Sequence, residues 1–291
     1  MQTSKCVKHI VQGSVFSSLI VLSPVLLASG YELSVQAGSS SSNSEGTQYA
    51  VDNITNSVQE GDLDDGSQFR INLGTELAGY KVNVAYGQNT LSGESTYDTN
   101  PAVATDCNVD PLQGTYDDCF DHANIRIDTD FGVLDAAVGK SFAMGSIDVV
   151  PYAGLRYLTV SQEIGVDYVF SGGNESFPSR EMDYSGFGLR IGTRLNVPFG
   201  ASPFFFRGDL ALAKMMSGDR EQTISDRVTG GPVTPAPFSV TDSVKPLTID
   251  LELFFGYKIR ENMSAGIGYG YHKISEILDT RDTINPATLG T

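Results

Sequence analysis

From residue 31 onward the chain keeps returning to one pattern, with apolar side chains at every second position and polar ones between. In SGFGLRIGTRLNV, residues 185–197, Phe187, Leu189, Ile191, Thr193, Leu195 and Val197 share one face. Gly188, Arg190, Gly192, Arg194 and Asn196 share the other. A period of two predicts a strand, because successive side chains of an extended chain point to opposite sides. QFRINLGTEL sets Phe69, Ile71, Leu73 and Thr75 against Arg70, Asn72, Gly74 and Glu76, and YKVNVAYG sets Tyr80, Val82, Val84 and Tyr86 against Lys81, Asn83 and Gly87. NIRIDTDFGVLDAAVGKSF alternates through Ile125, Ile127, Thr129 and Phe131, changes parity, and resumes with Leu134, Ala136 and Val138. A bulge near Gly132 is the expected cause.

Five strands follow that one along the chain. One carries Ala153, Leu155 and Tyr157 opposite Gly154 and Arg156, and the next is residues 185–197. FFFRGDLALAK opposes Phe206, Leu210 and Leu212 to Arg207 and Asp209. LTIDLELFFGYKI opposes Leu247, Ile249, Leu251, Leu253, Phe255 and Tyr257 to Thr248, Asp250, Glu252 and Lys258. MSAGIGYGYHK completes the series, with Ile267, Tyr269 and Tyr271 opposite Gly266, Gly268, Gly270 and His272. YELSVQA, residues 31–37, adds an earlier strand, for nine in all.

The connections alternate in length. Short ones fall near 77–79, 143–146, 198–202 and 259–262; long ones near 39–66, 89–122, 170–181, 217–243 and after 275. Sorting loops by parity is the habit of outer-membrane barrels, which have tight turns at one end and long loops at the other. The predicted fold is therefore all-β: a transmembrane antiparallel up-and-down barrel of about ten strands, with eight as the alternative count. Bacterial single-chain barrels normally have an even number of strands. Nine strands thus imply either a last strand lying beyond Thr291 or an atypical closure by residues 276–291.

The polar faces explain why a soluble sheet is the poorer reading. They carry seven basic residues (Arg70, Lys81, Arg156, Arg190, Arg194, Arg207, Lys258) and five acidic ones (Glu76, Asp135, Asp209, Asp250, Glu252). A soluble barrel would have to bury these charges in a dry core at high cost, whereas a wet lumen tolerates them. The apolar faces are almost free of charge, and Tyr80, Tyr86, Tyr157, Tyr257 and Tyr271 lie toward strand ends, where an interfacial girdle belongs. The lumen-lining candidates are Arg70, Lys81, Arg156, Arg190, Arg194, Arg207, Asp209, Asp250, Glu252 and Lys258. Their basic excess points to an anion preference, and the inward glycines are expected to leave room for solutes.

The N-terminus changes the domain picture. Lys5 and Lys8 precede a short apolar run from Val15 to Leu27, and Ala28, Ser29 and Gly30 form a small-residue cleavage pattern. Residues 1–30 read as a secretory signal peptide and residues 31–291 as the barrel domain. The formal net charge of -16 excludes nucleic acid as a partner. Two cysteines remain after cleavage, Cys107 and Cys119. In an exported chain they read as one disulfide, which contributes roughly 3 kcal/mol on the chain-entropy model.

PYAGLRY (151–157), DYSGFGLRIG (183–192) and DFGVLDAAVGKSF (130–142) resemble the Legionella-type major outer membrane protein family of pore-forming barrels. The resemblance covers roughly residues 120–275. It implies a bacterial outer-membrane location and a porin, in some members also a surface adhesin, and it brings no catalytic residues. The absence of Trp and of a terminal aromatic strand departs from that pattern.

The loops carry little specific chemistry. Residues 89–122 hold seven acids and no Lys or Arg. DCNVDP has the start of a calcium loop, making Asp106, Asn108, Asp110 and Asp117 weak metal candidates, but Pro111 stands where such a loop needs glycine. No metal, cofactor or catalytic site is expected. His9 lies in the signal, His122 at a loop end and His272 on a lumen face, and no hydrolase or nucleotide motif is present. Two functions remain open. One is a porin-like barrel for passive diffusion of small polar solutes or ions. The other is a non-conducting surface barrel acting in adhesion or envelope structure through its acidic loops. Expected partners are outer-membrane lipid, lipopolysaccharide and small polar solutes, with the oligomeric state open.

Overall fold

The computed structural model describes residues 9–20, 31–44, 48–52, 57–60, 63–98, 120–170, 175–225, 227–229, 237–260, 263–275 and 277. Its frame is a ring of ten antiparallel strands: β1 (His9–Ile20), β2 (Tyr31–Ser44), β3 (Leu63–Leu77), β4 (Tyr80–Asp98), β5 (Phe120–Lys140), β6 (Ile147–Phe170), β7 (Ser179–Pro198), β8 (Phe204–Ser225), β9 (Leu247–Arg260) and β10 (Met263–Ser275). Each pairs with its sequence neighbours, and β1 pairs with β10, so the sheet closes on itself. Closure matters physically, because an open edge in lipid would leave backbone groups without partners.

All nine strands expected between residues 31 and 275 are present. The tenth place is taken by His9–Ile20, a segment that the sequence reading assigns to the leader. It runs alongside β10, with Ile10 opposite Ile274 and Val15 opposite Tyr269, and meets β2 at Ser41–Ser44. At one end of the ring the turns are tight. Ala78 and Gly79 both have positive φ (52° and 79°), the conformation that a two-residue hairpin turn demands, and Gly145 and Gly200 adopt positive φ at the next two turns.

The strands are longer at the loop end than the alternation predicts. β5 has 21 residues, β6 has 24 and β8 has 22, against about 9–11 for a tilted membrane crossing. The expected loops 39–66, 89–122, 170–181 and 217–243 therefore shorten: β4 runs on to Asp98 and β8 to Ser225, and a small hairpin (Gln48–Asp52 with Ser57–Glu60) occupies part of the first.

Strand β5 explains the extra length and corrects the expected bulge. Its register against β4 is unbroken from Tyr80–Lys140 to Asp98–His122, and against β6 it is unbroken through Gly132–Thr159. The same set of positions faces inward throughout: Ile125, Ile127, Thr129 and Phe131, then Asp135 and Ala137, are all buried. What changes is the polarity of each face. Below Gly132 the outward residues Leu134, Ala136 and Val138 are apolar and exposed; above it the outward residues Asp130, Asp128 and Arg126 are polar and exposed. β6 inverts at the same height, with Leu155 and Tyr157 outside below and Leu158, Val160, Ile164 and Val166 inside above. So does β7, where Phe187 and Leu189 lie outside and Tyr184 and Met182 inside. A registered row, Tyr86–Leu134–Tyr157–Phe187, marks the boundary. The lower half has lipid outside and charge inside, while the upper half has water outside and an apolar core inside. The apparent parity change reflects a change of solvent, and no extra residue is inserted.

Candidate functional site

Three layers fill the interior. Uppermost is the apolar core, in which Leu91, Ile125, Ile127 and Leu158 are at most 1% exposed. A few polar groups thread it: Arg180 donates to Gln162 (3.0 Å), and Gln162 donates to Thr129 (3.1 Å). Burial, with Arg220 nearby, pushes the Arg180 guanidinium down to about 10. Arg220 in turn donates to Asp242 (2.9 Å) and to the Ile277 carbonyl (2.7 Å).

Below it, at membrane height, lies an ion-pair network. Arg156 makes a two-pronged contact with Asp135 (2.7 and 2.9 Å), reaches Asp250 at 2.7 Å and donates to Thr248 at 2.7 Å. Arg190 stands 3.6 Å from both Asp135 and Asp250, with its guanidinium 5.1 Å from the centre of the Tyr152 ring. Arg70 pairs with Glu252 and lies 3.8 Å from Asp135. The His272 Nδ1 lies 2.9 Å from Asp250. Asp135, Arg190, Arg156 and Asp250 are only 1–6% exposed at their side chains, so each charge depends on its neighbours in place of water.

The third layer faces the short turns. Arg194 donates to Asp209 (3.0 Å), Tyr152 donates to the same carboxylate (2.6 Å), and Arg207 pairs with Glu32 (3.1 Å). A cavity of about 60 Å³ lies among them, and a second of about 80 Å³ separates the network from the apolar core.

The sequence-derived lumen residues thus divide. Arg70, Arg156, Arg190, Asp250 and Glu252 meet in one network, and Arg194, Arg207 and Asp209 lie beneath it. Lys81 and Lys258 sit at the rim: Lys81 pairs with Asp148 at 2.7 Å, and Lys258 is exposed. Glu76 is exposed there as well. The expected basic excess therefore disappears at mid-height, where Arg70, Arg156 and Arg190 face Asp135, Asp250 and Glu252, three charges against three among the described residues. The inward glycines are mixed: at Gly74 and Gly87 a Cβ would meet nothing closer than 3.6 Å, but others leave no open space. A Cβ at Gly186 or Gly218 would strike the Tyr184 ring, one at Gly192 the Tyr152 ring, and one at Gly256 the Phe205 ring.

Sequence reasoning placed His272 on the lumen face but omitted it, along with Asp135, Tyr152 and Thr248, from the site. Their inward parity was readable, but the partner across the barrel was not. Cys107, Cys119, Asp106, Asn108, Asp110 and Asp117 lie outside the described residues. His122, at the upper rim, sits 2.5 Å from Asp98.

A closed ring with an apolar exterior band, a registered aromatic border and paired charges inside defines a membrane-spanning β-barrel. The chain belongs to the family described as Legionella pneumophila major outer membrane protein precursor, whose pattern matches residues 28–275, and it is accordingly a bacterial outer-membrane protein. No curated protein matches it. Among solved structures it is similar to a major outer membrane protein from Thermus thermophilus (13% identity, TM-score 0.37, covering 84% of this chain and 98% of that one). It is also similar to the outer membrane protease OmpT from Escherichia coli (10% identity, TM-score 0.43, covering 94% and 96%).

Proposed function

We propose that this barrel is a narrow porin-like passage for small ions and polar solutes, throttled at mid-height by the network around Arg156, and that it is not an enzyme. The observation that carries this reading is the placement of six opposed charges inside the membrane-spanning section, with a cavity on either side. Ionisable residues at membrane depth are expensive, and by default they mark an ion pathway. A lumen meant only as packing has cheaper fillers. In the conformation described the passage is shut, and conduction requires the pairs to part.

The second reading, a non-conducting surface barrel acting through its acidic loops, is supported by the apolar layer above the network. Planar-bilayer recording of the folded, heat-modifiable protein separates the two. The porin reading expects small discrete current steps. It expects them to grow several-fold when Asp135→Asn and Arg156→Gln are combined, which removes one matched pair and leaves no net charge behind. Changing Arg190 and Arg194 to Glu should move the reversal potential toward cations. Silence from the wild type and from the paired variant would leave only the surface barrel.

The reading of residues 1–30 as a leader belongs to the same proposal. It is supported by the family match, which begins at residue 28 beside the small-residue pattern.

A further inference from the structure

Resting on the porin reading, we propose that His272 determines the specificity of this passage, setting its ion preference according to pH. The network is otherwise charge-balanced among the described residues, three guanidinium groups against three carboxylates. One proton on an imidazole would make it four against three.

The geometry puts that imidazole at the decisive place. From β9, its register partner Asp250 contacts it at 2.9 Å, and Glu252 follows one inward position below on the same strand. Across the lumen, β6 contributes Arg156, which shares Asp250 at 2.7 Å, and β7 contributes Arg190 at 3.6 Å from the same carboxylate. Asp135 of β5 and Arg70 of β3 complete the surrounding charges and line the same 80 Å³ cavity as His272. On its other side the register position in β1 is Gln12, which is not titratable and which cleavage of the leader would remove. The cavity has room for several waters, so a proton can reach the ring without the barrel coming apart.

Imidazole is the ordinary side chain that changes charge between pH 5 and 8; the carboxylates around it ordinarily titrate below that interval and the guanidinium groups well above it. Neutral His272 donates Nδ1–H to Asp250 and adds no charge. Once protonated, it competes with Arg156 for Asp250 and leaves one guanidinium charge less well compensated. In a narrow, partly dehydrated constriction a single uncompensated positive charge attracts anions and repels cations. The passage is thus expected to be nearly unselective at pH 8 and anion-favouring at pH 5.

The test is the reversal potential of the full chain in planar bilayers under a potassium chloride gradient at the two pH values. Acidification should raise the chloride-to-potassium permeability ratio several-fold in wild type and in His122→Gln, which removes the rim histidine. It should leave His272→Gln and His272→Asn unchanged, both variants being checked for heat-modifiable folding. A conducting wild type with no shift overturns the proposal, as does a wild-type shift in the His272 variants. If no current flows at either pH, the passage reading fails. The ¹⁵N spectrum of a chain carrying His9→Gln and His122→Gln, in which His272 is the remaining imidazole, then decides separately. A ring that gains its proton between pH 8 and 5 supports charge-sensing by the network, and one that does not overturns it.

Discussion

Leu189 and Glu163 show how little a residue's type says without its surroundings. Both point outward and both are exposed. Leu189 lies in the apolar band, where an arginine at the bilayer midplane costs roughly 2–4 kcal/mol. Leu189→Arg should therefore lower folding stability in lipid vesicles by about that amount, whereas on a water-facing surface it would be close to neutral. Glu163 stands above the border, directly between Asp128 and Glu181 on the adjacent strands. Like charges directly opposite one another are unfavourable, so Glu163→Lys should be neutral or raise stability by up to about 1 kcal/mol. Urea titration followed by circular dichroism or gel mobility checks both variants. A neutral Leu189→Arg would show that the band does not meet lipid.

Alternation gives strand positions dependably, because it reports which side of an element differs from the other. What it cannot report is which side faces inward. In β5 the sequence pattern changes parity at Gly132 while the backbone register does not. The environment outside the strand switches there from lipid to water, and the side chains on each face switch with it. A bulge and a solvent boundary leave the same trace in the sequence. Cysteine labelling distinguishes them: Asp128→Cys and Glu163→Cys should react with a membrane-impermeant maleimide on intact cells, while Leu134→Cys and Leu155→Cys should not. Reaction at all four sites would place the membrane elsewhere. For the same reason the expected loops are too wide, since Leu63 and Leu91 read as loop yet form part of the core of the upper barrel.

At the scale of the whole molecule, closure is the governing constraint. Nine strands leave β2 and β10 with edges that would face lipid; in the structure β1 pairs with β10 along most of its length and with β2 at Ser41–Ser44, above the border row. The leader reading makes a definite prediction here: N-terminal sequencing of the protein recovered from outer membranes should begin at Tyr31. A terminus upstream of His9 would instead make β1 a permanent member of the ring.

What the sequence determined alone was the set of strands, their two unlike faces, the sorting of short and long connections, and hence the barrel class. Those are local properties, encoded by neighbours two residues apart. The tertiary structure alone decided which charges meet. Arg70 and Glu252 are 182 positions apart, and Arg156 finds Thr248 across 92. Such pairs depend on register and on ring closure, which are set by the sum of many strand contacts, so the lumen's balance of charge could be known only once the ring was closed.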